Sequence, residues 1–338
     1  MRIWKEVQEV SWQLIMPREL YEKILEASKL IDQRFASISH DDLLRFEDSF
    51  VVPASHPCSV NLSNYSYRVG SVEQAFDSKP TLAMVDKGLQ SLSWLQNSLP
   101  QNAHVIWLAP REEETKEQHW LDAFIANEIK EHPVERIVAI GGGIITNASG
   151  YIAERLQCEL IYVPTTVLAM SDGSIGGKVR ANLIEGGVYH KHYYKTFYEP
   201  NFVVIDPRFL ETLPDKQISV GLGEIIKHGV YQSRALLEYM ASDAFDPFKD
   251  KIPLLKSILW AAALKAVCLN IDPEETKDGS HIIMRGGHEA SDKIEEASRF
   301  TIPHGTAVSL AIRKELADSD DPLLSLVDSC FDKFSIRT

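Results

Sequence analysis

Short apolar runs that alternate with amphipathic stretches constrain the fold of this chain more than any other feature of its sequence. Five such runs lie between positions 81 and 206, namely TLAMVD (81–86), HVIWLAP (104–110), RIVAIGGG (136–143), ELIYVPTT (159–166) and NFVVID (201–206). One intervening stretch, residues 118–131, places its apolar side chains on one helical face. Strands that alternate with helices of roughly 10–15 residues predict an α/β fold with a doubly wound parallel sheet.

The pattern changes after Pro214, where the strand signal fades. Residues 218–231, 234–240, 253–269 and 288–298 have apolar side chains at helical intervals and few β-branched runs. We predict three parts: an N-terminal extension over residues 1–50, a Rossmann-like α/β domain over 51–214 and an α-helical domain over 215–338. Within the extension, residues 18–35 also have helical spacing.

Composition and charge argue against several classes of partner. The chain has 48 acidic residues against 35 lysines and arginines, and its net charge of −13 opposes binding to a nucleic-acid backbone. We find no apolar stretch of the roughly 18 residues that a membrane-spanning helix needs, and no signal-peptide segment. The four cysteines lie far apart without a CxxC pair, which is typical of reduced thiols. We expect a soluble cytoplasmic enzyme with neither a nucleic-acid nor a membrane partner.

Three consecutive glycines, Gly141, Gly142 and Gly143, follow one predicted strand directly and precede a predicted helix. Glycine lets the backbone approach a ligand closely, and a helix amino terminus offers N–H groups to a phosphate. The cluster lacks the spacing of the dinucleotide fingerprint, so it also fits a tight strand-to-helix turn without a ligand. Both interpretations stay open from these residues alone.

A second polar cluster follows the next predicted strand. The segments VPTT (163–166) and SDGSIGGK (171–178) supply hydroxyls, an acid and Lys178. They lie at the carboxyl edge of the predicted sheet, where ligands of open α/β sheets bind. The alternative is a flexible loop with a solvated lysine. We interpret the later segment HKHYY (190–194) as a surface loop.

A third set of residues has the chemistry of a metal site. Glu224 and Lys227 lie three apart on one predicted helix face, and His288 and His304 follow in the segments RGGHEASDKIE and TIPHGTAV. One glutamate with two histidines is a ligand set that leaves coordination positions open for a substrate. Each residue alone also fits a structural hydrogen-bonding role, and only the fold can bring the three together.

The motifs occur in the order GGG, VPTT, SDxSxGGK, FxxTLP, GLxEIIKxG, GGH and IPHG. In that order and wording, the chain resembles the dehydroquinate synthase-like superfamily of sugar-phosphate cyclases over roughly residues 80–310. The resemblance is specific because it joins nucleotide, lysine and metal motifs. It implies an NAD-binding role for the α/β domain, a metal-binding role for the helical domain, and a homodimer.

The resemblance also assigns residues to each ligand. A divalent metal, zinc or cobalt, would be bound by Glu224, His288 and His304. NAD would contact Asp86, Glu113, Lys116, Gly141, Gly142, Gly143, Thr165, Thr166, Phe209, Thr212 and Leu213. The phosphorylated sugar would be held by Asp172, Lys178, Lys191, Lys227 and Lys265, with His281 and Arg285 where the family has an arginine and an asparagine.

The implied reaction is a cycle that regenerates NAD. The metal chelates neighbouring hydroxyls of the sugar while NAD oxidises one carbon. The ketone acidifies the adjacent C–H bond, phosphate leaves, the carbonyl is reduced again, and an intramolecular aldol addition closes a carbocycle. Lysines suit this chemistry because they hold phosphate and hydroxyl oxygens as mobile point charges.

Several positions depart from the family pattern. They are Leu156 for an arginine, His192 for an asparagine, Asp292 for a histidine and Thr306 for a glutamate. Arg155, one position before Leu156, offers a substitute for the missing arginine. The chain also ends soon after His304, where family members continue with further helices. The residues that would bind the metal and NAD thus match the family pattern, whereas many of those that would bind the phosphate and carboxylate of the substrate differ from it.

We therefore expect a cyclase with an altered substrate, as in the secondary-metabolite branches that use sedoheptulose 7-phosphate or glucose 6-phosphate, among them the enzymes that make 2-epi-5-epi-valiolone or 2-deoxy-scyllo-inosose. Of these substrates, we expect a heptulose phosphate. Three alternatives stay open. They are a 3-dehydroquinate synthase proper, an NAD-dependent polyol or glycerol-phosphate dehydrogenase of the same architecture, and a degenerate, non-catalytic family member that binds a ligand or partner.

Overall fold

The computed structural model describes residues 18–49, 66–109, 112–129, 132–272, 275, 278–299 and 301–336. Their contacts divide them into two compact units. The sheet unit comprises residues 44–49 and 66–211, and the helical unit comprises residues 18–43 and the described residues from 212 to 336. The predicted N-terminal extension is thus shared: its helix belongs to the helical unit, and residues 44–49 belong to the sheet unit.

Nine strands were found in the sheet unit. They are β1 (Glu47–Ser49), β2 (Ser66–Val69), β3 (Thr81–Asp86), β4 (His104–Leu108), β5 (Arg136–Gly141), β6 (Glu159–Pro164), β7 (Lys178–Glu185), β8 (Val188–Phe197) and β9 (Phe202–Ile205). Seven of them form one sheet in the order β1-β2-β9-β6-β5-β3-β4, parallel except that β1 is antiparallel to β2. All five apolar runs form strands of this sheet, so the predicted parallel α/β fold is confirmed.

Within the described ranges, helices lie between the strands in the first part of the chain and follow one another without strands after residue 205. In chain order they are α1 (Arg18–Ser37), α2 (His40–Leu44), α3 (Ser93–Ser98), α4 (Gln118–Phe124), α5 (Gly143–Leu156), α6 (Arg208–Thr212), α7 (Asp215–Tyr231), α8 (Arg234–Ala241), α9 (Lys251–Ile271), α10 (Asp278–Arg285), α11 (His288–Ala297), α12 (His304–Asp318) and α13 (Leu324–Phe334). Helix α4 continues as a π-helical turn over Ile125–Ile129. Among the described residues after α6, all the regular elements are helices, as predicted.

The segment HKHYY is part of a strand, so its interpretation as a surface loop was wrong. β7 and β8 form an antiparallel hairpin. Gly186 and Gly187 form its turn with φ of 58° and 81°, a left-handed conformation that glycine adopts without strain. Side chains along β8 alternate between exposed and half-buried. The strand therefore lacks the continuous apolar run by which buried parallel strands are recognised.

Helix α9 is the apolar core helix of the helical unit. By length and composition it could cross a membrane, contrary to our expectation that no stretch would be apolar enough. However, 78% of its most apolar window is buried inside the protein, and a helix that is apolar all round is typically a core helix. Its Cys268 is a buried free thiol, as are Cys158 and Cys330, while Cys58 lies outside the described residues.

Helix α1 packs against α9 and α10 and is fixed there by buried polar contacts. The Asp32 carboxylate accepts hydrogen bonds from the Ser233 hydroxyl and, at 2.9 Å, from the Trp260 indole nitrogen. The Phe35 ring stacks on Trp260 with their centroids 5.7 Å apart. The N-terminal helix is therefore an integral part of the helical unit.

Helices α7 and α12 approach each other closely enough for backbone contact. A Cβ atom on Gly223 would lie 1.9 Å from the Gly305 carbonyl oxygen, so a side chain does not fit there. Gly223 directly precedes Glu224, and Gly305 directly follows His304. The close approach therefore brings Glu224 and His304 together from two different helices.

We expect Asp32→Ala to lower the free energy of unfolding by about 1–3 kcal/mol, because two buried donors lose their acceptor. These donors are the Ser233 hydroxyl and the Trp260 indole N–H. Urea unfolding followed by circular dichroism measures the change, with the exposed Glu26→Ala on the same helix as the control. Equal stability of both variants would contradict the anchoring role of Asp32.

We expect Gly223→Ala to cost about 1–3 kcal/mol of stability, because overpacking forces the backbones of α7 and α12 apart. Gly229→Ala on the same helix is the matched control, since its Cβ would lie 3.0 Å from the Leu237 Cβ. Both variants gain about 1 kcal/mol of helix propensity, so only the clash separates them. The melting temperature should fall further for Gly223→Ala; the reverse order would disprove the close contact.

Candidate active site

Three predicted metal ligands meet in the helical unit. Glu224 lies in the middle of α7, while His288 and His304 are the first residues of α11 and α12. One ligand atom from each side chain lies within 4.8 Å of the other two. In the part of the chain that the structure describes, this is the one group of three or more such side chains with that spacing.

The Nε2 atoms of both histidines face the same carboxylate oxygen. Glu224 Oε1 lies 3.2 Å from His304 Nε2 and 3.7 Å from His288 Nε2. The Glu224 side chain is 3% exposed, whereas those of His288 and His304 are 18% and 35% exposed, so the group opens on the histidine side. This donor set fits a divalent metal that keeps coordination positions free for a substrate.

The other ring nitrogen of each histidine also has a partner. His288 Nδ1 lies 3.1 Å from the Gly286 carbonyl oxygen, and His304 Nδ1 lies 2.6 Å from Glu295 Oε1. Metal-binding histidines typically donate this second N–H to a carbonyl or a carboxylate, which fixes the ring. The two contacts therefore agree with a metal on the Nε2 side.

The two histidines differ in their affinity for protons. Burial lowers the pKa of His288 to about 4, against the opposing effect of the Glu224 carboxylate. Burial also acts to lower the pKa of His304, but hydrogen bonds to Glu224 and Glu295 outweigh it and raise that pKa to about 9. A metal would therefore find His288 neutral and would displace a proton from His304.

The segment GGH positions His288 through tight packing. A Cβ atom on Gly286 would lie 2.3 Å from the Tyr231 ring, and Gly287 has a φ of 71° that favours glycine. The Tyr231 hydroxyl donates a hydrogen bond to the Glu315 carboxylate of α12. The glycine pair therefore lets the chain pass closely against α7 before α11 begins at His288.

Two of the predicted substrate lysines are buried in the helical unit. The Lys227 side chain is 1% exposed, and its Nζ lies 2.6 Å from Glu224 Oε2 one turn earlier on α7. Lys265 in α9 is also buried. Because a buried ammonium needs an anionic partner, Glu224 serves two roles. One of its oxygens faces Lys227, and the other faces the histidines.

The two remaining predicted substrate residues of the helical unit are exposed. His281 lies on the outside of α10. Arg285 ends α10, and its Nη2 lies 3.7 Å from Asp292 Oδ2, with the two side chains 47% and 56% exposed. Asp292 thus offsets the charge of Arg285 in the same unit.

A cavity of about 520 Å³ lies beside the start of α12. Pro303 and Thr306, which flank His304, line it together with Lys216 and Ser219 of α7. Its volume is within the range of roughly 300–1,000 Å³ for small-molecule sites. Thr306, at the position that holds glutamate in the family pattern, therefore lines an open space with a smaller side chain.

The central cofactor residues of the prediction share the carboxyl edge of the sheet. They are Asp86 at the end of β3, Gly141, Gly142 and Gly143 from the end of β5 into α5, and Thr165 and Thr166 after β6. A Cβ atom on Gly142 would lie 3.2 Å from the Thr166 methyl carbon, whereas one on Gly143 would meet open space. Since α5 begins at Gly143, this edge offers a helix amino terminus to a phosphate.

The other predicted cofactor residues are more scattered. Lys116 is buried, the Phe209 ring packs against Trp94 at 5.0 Å, Thr212 is exposed, Leu213 is half-buried, and the Glu113 side chain lies outside the described residues. The Asp86 carboxylate caps the turn after β3 by accepting a hydrogen bond from the Gly88 N–H at 2.8 Å. Burial raises the pKa of Asp86, against this hydrogen bond.

Three predicted substrate residues lie in the sheet unit and are half-buried. Asp172 lies in the turn Ala169–Gly173, Lys178 begins β7, and Lys191 lies in β8. A Cβ atom on Gly177 would lie 2.7 Å from the Glu199 Cγ, so glycine is needed directly before Lys178. Lys178 is thus held at the start of a strand, against the alternative of a flexible loop.

Local structural roles are filled by Arg155, the neighbour of the departure Leu156, and by His192, itself a departure from the family pattern. The Arg155 guanidinium lies over the Tyr151 and Tyr194 rings and donates to the Tyr151 hydroxyl at 3.0 Å. It is therefore engaged within the sheet unit. His192 has a φ of 54°, and its N–H donates to Asn182 Oδ1 at 2.9 Å beside an irregularity in the hairpin register.

Two residues that the sequence analysis missed contact these sites. Glu295 is the partner of His304, and the signal for it is its position on the face of α11 that also carries His288. The Asn147 side chain donates to the Gly143 carbonyl and accepts from the Arg180 N–H, at 2.8 and 2.7 Å. It ties the glycine turn to β7, and no motif marked it.

Comparisons with known proteins agree with the order of the motifs. The family model of the 3-dehydroquinate synthase N-terminal domain matches residues 106–220, and that of the C-terminal domain matches residues 221–324. The 3-dehydroquinate synthase of Sulfurisphaera tokodaii is 36% identical over 179 residues, which are 52% of this chain and 49% of that protein. The chain spans about half the length of the curated relatives it matches.

Solved structures share the fold at lower identity. A 2-epi-5-epi-valiolone synthase from Streptomyces hygroscopicus, with NAD+ and Zn2+ bound, has a TM-score of 0.64 at 21% identity and covers 82% of both chains. A 2-deoxy-scyllo-inosose synthase complexed with carbaglucose-6-phosphate, NAD+ and Co2+ has a TM-score of 0.63 at 22% identity and covers 80% of this chain and 78% of that one. Together, the two family models match consecutive parts of the sequence, and the chain belongs to the dehydroquinate synthase-like family of sugar-phosphate cyclases.

Proposed function

We propose that the protein is a metal- and NAD-dependent sugar-phosphate cyclase that converts a phosphorylated sugar, a heptulose phosphate, to a carbocycle. The observation that carries the proposal is the convergence of Glu224, His288 and His304 beside the buried Lys227. Family membership supports the class of reaction, a phosphate-eliminating lyase reaction. We further propose that it acts in the cytoplasm as a homodimer.

The chain's own residues would bind and orient the reactants. When bound, a divalent metal would polarise sugar hydroxyls, and NAD would oxidise and later reduce one carbon. Glu224, His288 and His304 would hold the metal through the oxygen and nitrogens that face one another. The amino terminus of α5 would hold the pyrophosphate of NAD, because helix N–H groups and the helix dipole favour a negative charge.

Lysines would provide the positive charge for the substrate. Lys227 lies against Glu224 and is therefore placed to donate a hydrogen bond to an oxygen of a sugar at the metal. Lys178, Lys191 and Lys265 would bind phosphate or hydroxyl oxygens, and Asp172 would accept from a hydroxyl. A lysine ammonium suits this role because it is a compact charge on a flexible stem.

The substrate would lack the carboxylate of the dehydroquinate precursor. His281 stands in place of the carboxylate-binding arginine and is exposed. Arg285 is offset by Asp292 at 3.7 Å, so this pair presents little net positive charge to an anion. These two features support a heptulose phosphate without an acid group.

Dehydroquinate synthesis is the second candidate, because the curated relatives carry that name. It requires that the lysines alone replace the carboxylate-binding arginine. A polyol or glycerol-phosphate dehydrogenase and a non-catalytic family member are the remaining outcomes of the tests below.

We expect His304→Ala to lose bound metal and activity, because it removes one of the three ligands. The metal affinity should fall by about 100-fold or more, which exceeds the usual effect of mutating a residue that only hydrogen-bonds to a ligand. Metal analysis of the dialysed protein measures the stoichiometry, and the parent should hold one divalent ion per chain. His119→Ala, an exposed histidine on α4, is the control. Unchanged metal content and turnover in His304→Ala would rule out the metal assignment.

A panel of phosphorylated sugars tests the reaction. We expect the protein with NAD and Co2+ or Zn2+ to release inorganic phosphate from sedoheptulose 7-phosphate without net NADH. Glucose 6-phosphate and the heptulosonate phosphate precursor of dehydroquinate complete the panel. Phosphate from the last sugar alone would establish the second candidate, and accumulating NADH would indicate a dehydrogenase. A protein that binds neither NAD nor metal would be the non-catalytic family member.

A further inference from the structure

We infer that Glu295 is a positioning residue of the metal centre, which orients the His304 ring and strengthens its Nε2 atom as a metal ligand. The inference rests on the proposed metal at Glu224, His288 and His304. It concerns a side chain that does not itself reach the ligand atoms but acts through one of them.

The contacts of the His304 ring carry the first step. Glu295 Oε1 lies 2.6 Å from Nδ1 on one side of the ring. On the other side, Glu224 Oε1 lies 3.2 Å from Nε2. The His304 ring thus lies between two carboxylates. A rotation of the ring about its side-chain bonds would break both contacts. Fixing the ring in advance removes a conformational freedom that metal binding would otherwise have to restrict.

The burial of Glu295 carries the second step. Its side chain is 5% exposed, whereas that of its partner His304 is 35% exposed. A carboxylate removed from water is costly unless it accepts hydrogen bonds from a strong donor. The ring N–H of His304 supplies such a donor, so the acid is held at this place by the histidine that it positions.

The helix that carries Glu295 links the positions of the two histidine ligands. Helix α11 begins with His288 and presents Glu295 two turns later, so it supplies one ligand and the partner of the other. It packs directly against α12, which begins with His304. A displacement of α11 along α12 would therefore disturb both histidines at once.

The two histidines have partners of different charge. His288 donates to a neutral backbone carbonyl, that of Gly286, whereas His304 faces the carboxylate of Glu295. An anionic partner makes the opposite nitrogen of the ring a stronger electron donor to a metal. The carboxylate therefore makes His304 the stronger of the two nitrogen ligands.

A purely structural role of Glu295, as a tie between α11 and α12, makes a different prediction. Such a tie would contribute to the stability of the metal-free protein and leave the affinity for metal unchanged. Two variants separate position from charge. Glu295→Gln keeps the shape and an acceptor oxygen without the charge, and Glu295→Ala removes both. Glu296→Gln, an exposed neighbour on the same helix, is the matched control.

The experiment measures the dissociation constant of Co2+ on the metal-stripped full chain, by competition with a chromophoric chelator. The melting temperature in excess EDTA is recorded in parallel. We expect Glu295→Ala to bind Co2+ about 10- to 100-fold more weakly than the parent, as for other residues that orient a metal ligand. Glu295→Gln should lie between the two, and Glu296→Gln should match the parent.

The outcomes separate this inference from the proposed function. If the parent binds Co2+ and Glu295→Gln and Glu295→Ala bind it equally tightly, the inference is wrong, even if both melt earlier in EDTA. If Glu295→Ala does not fold, the isosteric Glu295→Gln decides, and an affinity equal to the parent's overturns the inference. A parent that binds no Co2+ overturns the proposed function together with the inference.

Discussion

Where α7 meets α12, the Gly223 Cα faces the Gly305 carbonyl oxygen, and a methyl group would lie only 1.9 Å from that oxygen. This separation sets the position of the residues on either side, because Glu224 and His304 are the direct neighbours of the two glycines. Their side chains consequently meet with 3.2 Å between Oε1 and Nε2. Gly286 packs against the Tyr231 ring of α7, and this close packing places His288 beside the same carboxylate. The ligand group is thus a consequence of backbone packing between helices.

The elements that the sequence predicted are those with a local signal. Four of the five predicted strands, β3, β5, β6 and β9, are buried along nearly their whole length, and their sequences are apolar runs. The fifth, β4, lies at the edge of the sheet and is mostly half-buried, but its apolar run still marked it as a strand. The hairpin of β7 and β8 was missed because one of its faces is solvated, so its side chains alternate in exposure and its apolar residues are spaced. The packing of α1 on α9 was also outside prediction, since Asp32 and Trp260 are far apart in the chain and no spacing rule links them.

The candidate site shows the same limit. Glu224, His288 and His304 come from three helices, and spacing left each of them open to a structural role. Their assignment as metal ligands required the family resemblance, which depends on the order of the motifs along the chain. The spacing between two residues does not carry this information about the fold. Glu295 was not singled out, although it ends the segment RGGHEASDKIE, because its contact with His304 nine residues later depends on how α11 packs against α12. The sequence showed Arg285 and Asp292 only as two separate departures from the family pattern. The structure shows that the two side chains lie 3.7 Å apart, so that their charges offset each other.

The charges around His304 explain why the centre suits a divalent ion. Two buried carboxylates lie against the His304 ring, Glu224 on its Nε2 side and Glu295 on its Nδ1 side, and Glu224 also pairs with the buried ammonium of Lys227. With neutral histidines, these three charged side chains would carry a net negative charge. Burying an uncompensated charge is costly, and the protein reduces that cost by holding a proton on His304, whose pKa is raised to about 9 by hydrogen bonds to both carboxylates that outweigh its burial. A divalent cation would displace this proton and turn the local excess positive. With the proton on His304 these side chains carry no net charge, whereas with a divalent cation they would carry a net positive charge that attracts the oxygens of the proposed phosphorylated sugar. Under the proposed function, the charge of Glu295 would therefore contribute to the affinity for the metal and, through the metal, to the affinity for the substrate.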